Sequence, residues 1–154
     1  MMNTIIVFAS MSGTTELMAY TIASELTKAG DQVTVKDAFE ADAGELKSYE
    51  RILVGSYTWG DGDLSDEITG FYDELVTTDL TGKMAAAFGS GDTSYGHFAR
   101  AVDILEEALK TQGCEILIKG LKIDSWSEDE EEIETKCRLY AKELLSLSSQ
   151  SCIA

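Results

Sequence analysis

The sequence predicts an α/β fold: a three-layer, doubly wound sandwich with helices on both faces of a five-stranded parallel sheet. Two observations carry this. Short apolar runs alternate with longer segments whose apolar positions recur at helical spacing, and 13 glycines with no proline leave that alternation regular and closed by glycine turns. Ile5, Ile6, Val7, Phe8 and Ala9 form an unbroken apolar run, as expected of a strand buried on both faces. Met18, Ile22 and Leu26 then share one helix face, which Gly30 ends. Residues 32–36 alternate around Val33 and Val35 as a second strand, and residues 51–55, with Ile52, Leu53 and Val54, form a third. Ile68, Phe71, Tyr72 and Leu75 return to helical spacing. Residues 84–88 are a fourth strand of small residues, followed by a helix through Phe98, Val102, Leu105 and Leu109 that closes at Gly113. Residues 115–123 read as an uninterrupted fifth strand, and Ile133, Cys137, Tyr140, Leu144 and Leu147 as the stripe of a last helix. Residues 1–147 thus form one domain, and 148–154, without periodicity, are expected to fray.

Charge narrows the partners. The 154 residues carry 28 Asp and Glu against 12 Lys and Arg, a net charge of -16. Such a field repels nucleic acid and anionic membranes and favours basic docking surfaces. Cys114, Cys137 and Cys152 are odd in number and far apart, which reads as reduced thiols in a cytoplasmic protein. With His97 as the single histidine, no metal site is expected. The start of the chain lacks a basic segment, and residues 5–9 are too short for a signal peptide or a membrane span.

In a parallel sheet of this kind ligands bind beyond the carboxyl ends of the strands, where the strand order reverses. Three unusual loops fall there. After the first strand come Ser10, Met11, Ser12, Gly13, Thr14 and Thr15, four hydroxyls and a glycine at a helix start, with neither a P-loop lysine nor a GxGxxG pattern. They suit a terminal phosphate held by hydroxyls and amides, although a cluster of helix caps would use the same residues. After the third strand, Ser56, Tyr57, Thr58, Trp59, Gly60 and Asp61 set a tryptophan among glycines and polar groups, as for a flat ligand. A tight turn with the indole folded back is the alternative. After the fourth, Ser90, Gly91, Asp92, Tyr95 and Phe98 lie in a glycine-rich loop that could offer a second aromatic plane or merely cap a helix.

Taken together, SMSGTT, SYTWGDGDL and GSGDTSYGHF resemble the three cofactor loops of the flavodoxin family, over a match that runs from Asn3 to about Leu147. Ser12 stands where the family has threonine and Thr14 where it has asparagine. The resemblance implies strand order 2-1-3-4-5 and non-covalently bound FMN. Its phosphate would lie on residues 10–15, with Trp59 and Tyr95 on the two ring faces and the backbone near Asp92 at the pyrimidine edge. The Gly60–Asp61 peptide would turn to hydrogen-bond the reduced ring. The uninterrupted fifth strand leaves no room for the insertion of long-chain members, so a short-chain flavodoxin is implied.

The function expected is a low-potential one-electron carrier, monomeric, that exchanges electrons with a flavodoxin reductase and electron-accepting enzymes through their basic surfaces. No catalytic residue is needed, because the flavin carries the chemistry. Between Ile52 and Gly82 lie seven acids (Asp61, Asp63, Asp66, Glu67, Asp73, Glu74 and Asp79) and no Lys or Arg. They would disfavour an anionic reduced flavin and so lower its potential. The acids of residues 128–132 read as a solvated face. A response-regulator receiver shares the fold, but Gly55 and Ser56 stand where its phosphoacceptor aspartate belongs. Two alternatives remain: a flavodoxin-like protein dedicated to one partner, such as ribonucleotide reductase activation, and an NAD(P)H-dependent quinone or nitro reductase.

Overall fold

The structure, a computed structural model, describes residues 2–11, 13–59, 62–92 and 98–153, with side chains as far as Ser148. Its three central strands are β1 (Asn3–Ala9), β3 (Arg51–Trp59) and β5 (Met84–Gly91). All are buried on both faces, which is why they read as continuous runs instead of alternating ones. Successive side chains point to opposite faces. Ile5, Val7, Ile52 and Val54 enter one core, while Ile6, Phe8 and Leu53 enter the other. The first core is covered by α2 (Asp66–Leu75), α3 (Arg100–Thr111) and a short 3-10 helix (Ala43–Ser48). The second is covered by α1 (Thr14–Lys28) and α4 (Glu130–Ile153).

The main sheet runs β2 (Gln32–Asp37), β1, β3, β5, and then β6 (Glu115–Ile116) and β7 (Leu121–Asp124), all in parallel. This is the expected order 2-1-3-4-5, with β6 and β7 sharing the fifth place. Ala9 lies opposite Ser56, and Ser56 opposite Gly89, so the carboxyl ends of β1, β3 and β5 are level and their loops adjacent.

Four features differ from the sequence expectation. The fifth strand is broken over residues 117–120. Side chains from both helical layers bind the backbone at that break: the Glu106 carboxylate accepts the Gly120 N–H at 2.7 Å, and the Tyr140 hydroxyl lies 3.2 Å from the Ala87 carbonyl and 3.3 Å from that of Lys119. Second, β3 and β5 run on to Trp59 and Gly91, so Ser56–Trp59 and Gly89–Gly91 are strand and not loop. Third, a two-residue strand, β4 (Asp63–Leu64), folds back antiparallel on the end of β3, pairing Trp59 with Asp63. Fourth, α4 continues to Ile153, and Ser148, expected to lie in a frayed tail, is buried. Its hydroxyl accepts from Arg51 Nε at 3.1 Å and donates to the Leu144 carbonyl at 2.6 Å. Arg51 is itself buried, pairing with Asp31 at 2.7 Å and bonding Thr4 Oγ1 at 3.2 Å. A buried charge requires such partners.

Candidate functional site

The loop after β1 turns into α1 through Gly13, whose φ of 94° suits glycine and strains other residues. Gly13 N–H donates to Ser10 Oγ at 3.1 Å, which leaves the serine's own proton free to point elsewhere. The N-cap position is Gly13, which has no side chain to cap α1, and among the described residues no side-chain cap bond is made there. The first-turn N–H groups, at the positive end of the helix dipole, therefore form a ready anion site. Thr14 is half-buried beside them. Thr15 is buried, and its hydroxyl lies 3.0 Å from Ser90 Oγ. That bond ties the first loop to the end of β5, so Thr15 is spent inside the protein. A cleft of about 360 Å³ opens between Gly13, Thr14 and Leu17 and the start of α4; the Glu128 carboxylate lining it is neutralised by Lys136 at 2.6 Å. A larger cavity of about 470 Å³ lies between α2 and α3, lined by residues of the two helices and by Val76 and Gln112 just past their ends, away from the strand ends.

At the end of β3, the Ser56 hydroxyl donates to the Tyr57 carbonyl at 2.8 Å and meets Ser65 Oγ at 3.2 Å. Any contact Ser56 makes with a ligand falls to its peptide. The Tyr57 hydroxyl donates to the Glu67 carboxylate from the first turn of α2, while its ring stands edge-on to Trp59 with centroids 6.5 Å apart. Burial first, and then the bond to Glu67, push the Tyr57 hydroxyl up to about 12. Thr58 Oγ1 accepts the Ala101 N–H at 3.0 Å, fastening β3 to the start of α3. Trp59 is 51% exposed.

Ser90 and Gly91 end β5. A Cβ on Gly91 would lie 2.6 Å from the Ala99 nitrogen, so only glycine fits. Its carbonyl accepts from Ser125 N at 2.8 Å and Ser125 Oγ at 3.0 Å, which brings the turn after β7 to the same edge. Asp92 is half-exposed, and Phe98 packs on the first core. Met11 is exposed. Ser12, Gly60, Asp61 and Tyr95 lie outside the described residues. Sequence reasoning missed the supports, namely Ser65, Glu67, Ala101 and Ser125. Each acts through a tertiary hydrogen bond that leaves no local sequence signal.

The donor set suits FMN. The amides and hydroxyls of the first loop, which contains no Lys or Arg, match a terminal phosphate, and a half-exposed indole on the neighbouring strand matches a flat ring. Both stand at the reversal of strand order, which defines a flavodoxin-like flavin-binding class.

Comparison with known proteins agrees. The family model described as flavodoxin matches residues 6–138. A probable flavodoxin 2 of Bacillus subtilis is 42% identical over 135 residues, covering 87% of this chain and 89% of its own length. The flavodoxin of Nitratidesulfovibrio vulgaris is 38% identical, covering 80% and 86%. The crystal structure of oxidised flavodoxin 2 from Bacillus cereus superposes with a TM-score of 0.88 at 44% identity, covering 94% of this chain and 98% of that one. The chain belongs to the flavodoxin family and is of the short-chain kind, an FMN-binding electron-transfer protein. Among the described residues no helix is long and apolar enough to cross a membrane.

Proposed function

We propose that this protein is a low-potential, one-electron carrier of the cytoplasm, a monomer that passes electrons from a basic reductase to electron-accepting enzymes. Bound FMN supplies the electron chemistry. The observation that carries the reading is the N-terminus of α1, whose N-cap is Gly13 and which no side chain caps among the described residues, together with the half-exposed Trp59 at the end of the neighbouring strand. Ser10, Ser12, Gly13 and Thr14 would hold the phosphate, while Trp59 and Tyr95 would cover the ring. Peptides of residues 56–61 and 90–92, with Phe98 behind them, would border it. Asp63, Asp66 and Glu67 crowd the end of β3 with negative charge, which opposes adding further charge to the ring and lowers its potential. The same carboxylates attract basic partners.

Titration of the apoprotein with FMN, riboflavin and FAD, followed by flavin fluorescence, tests the site. FMN is expected to bind one to one, and at least tenfold tighter than the other two by the loss of about 1.4 kcal/mol or more of phosphate contacts. Equal affinity for riboflavin would remove the phosphate role of residues 10–15.

A further inference from the structure

Two exposed aromatics outside the cofactor loops stand at opposite ends of the carboxyl edge, and the same backbone device presents both. β2 ends at Asp37, whose carboxylate accepts the Phe39 N–H at 2.9 Å; β7 ends at Asp124, whose carboxylate accepts the Trp126 N–H at 3.1 Å. Further bonds stiffen each turn. Glu40 N–H donates to the Asp37 carbonyl at 2.9 Å, and Ser127 Oγ donates to Asp124 Oδ2 at 2.6 Å. Ser125 is fastened to Gly91. Held in this way, Phe39 is 74% exposed and Trp126 78% exposed. With Met11 after β1 and Trp59 at the end of β3, four large apolar side chains follow strands along one edge of the sheet. β2 and β7, the strands they follow, are four strand spacings apart, about 19 Å.

Exposing a large ring in a rigid turn gives up burial without gaining freedom, and it leaves a pre-ordered side chain such as interface hot spots use. We propose that Phe39 and Trp126 are the two outer anchors of a docking strip for a redox protein with apolar sockets rimmed by Lys and Arg. Charge selects that occupant. Glu40 lies next to Phe39, and Asp129, Glu130, Glu131 and Glu132 follow Trp126, all exposed. Two lysines close in sequence to the turns are already engaged, Lys36 with Glu45 and Lys136 with Glu128. An anionic membrane, or a second copy of a chain with net charge -16, is repelled by this face. The acids after Trp126, which alone read as a solvated face, become the rim of one anchor.

The proposal rests on the electron-carrier reading, and the test separates the two. The FMN-loaded protein is photoreduced and mixed in stopped flow with an oxidised, lysine-rimmed c-type cytochrome, and the second-order rate is measured against ionic strength. If the wild-type protein transfers no electrons, the carrier reading fails. Given wild-type transfer, Phe39→Ala and Trp126→Ala should each slow the reaction about tenfold. FMN affinity and the slope with ionic strength should stay unchanged, since neither variant alters charge. Phe39→Leu and Trp126→Phe should recover most of the rate. Rates of the alanine variants within twofold of wild type would overturn the proposal, as would a loss that tracks weaker FMN binding. Dimerisation or binding to anionic vesicles that Trp126→Ala abolishes would also overturn it, by giving the anchors to another occupant.

Discussion

Tyr57 is the residue through which α2 holds the tryptophan of the site, since its hydroxyl is committed to Glu67 and its ring to Trp59. Tyr57→Phe keeps the ring and removes the hydroxyl. The expected cost is about 1–2 kcal/mol of stability, with a weaker near-ultraviolet dichroism from a less ordered indole. The pH dependence has a definite sign. The folded value, about 12, is raised above the ordinary 10.0, so folding favours the protonated phenol. That contribution is intact below pH 10 and is lost as pH rises from 10 towards 12, because the unfolded chain releases the proton first. Urea midpoints of the wild type and Tyr57→Phe should therefore converge as pH rises from about 10 towards 12. A constant gap would show that folding does not raise the phenol above its ordinary value. Burial raises Cys114 to about 11 and Cys137 to about 12, so neither is a nucleophile at neutral pH.

The elements that were legible in the sequence are those whose burial writes a pattern. The two-sided strands β1, β3 and β5 showed as apolar or small runs, and the helices showed by their stripes. What stayed hidden depends on partners remote in the chain. Ser56–Trp59 look like loop because they are polar, yet β5 pairs with them as strand as far as Tyr57–Ser90. The break in the fifth strand is invisible in an apolar run, because the groups that bind its backbone, Glu106 and Tyr140, reach in from the helices. The end of α4 is the clearest case. Its serines carry no stripe, yet Ser148 meets the buried Arg51, 97 residues earlier. Ser148→Ala should cost about 1–2 kcal/mol in urea unfolding, since it leaves Arg51 Nε buried with one partner fewer. A chain shortened after Leu147 should lose at least as much. Wild-type stability in both would mean that the helix end is dispensable.

At the scale of the whole molecule, the net charge of -16 opposes compaction even without FMN. The melting temperature of the apoprotein should therefore rise by several degrees between about 10 mM and 500 mM sodium chloride as the Debye length falls from about 30 Å to below 5 Å. A flat or falling curve would mean that pairs such as Arg51–Asp31 outweigh the general repulsion. The charge was legible from composition alone. The cofactor loops were legible as motifs, but the anchors Phe39 and Trp126 were not, because strand ends are needed to place them on one edge. One bond makes the site a single thermodynamic unit. The Thr15 and Ser90 hydroxyls join the end that would take a phosphate to the end that would take the ring. Any coupling that this bond carries between the halves acts equally in both directions, so whatever one half of the ligand gains from the other being bound is returned in the same measure.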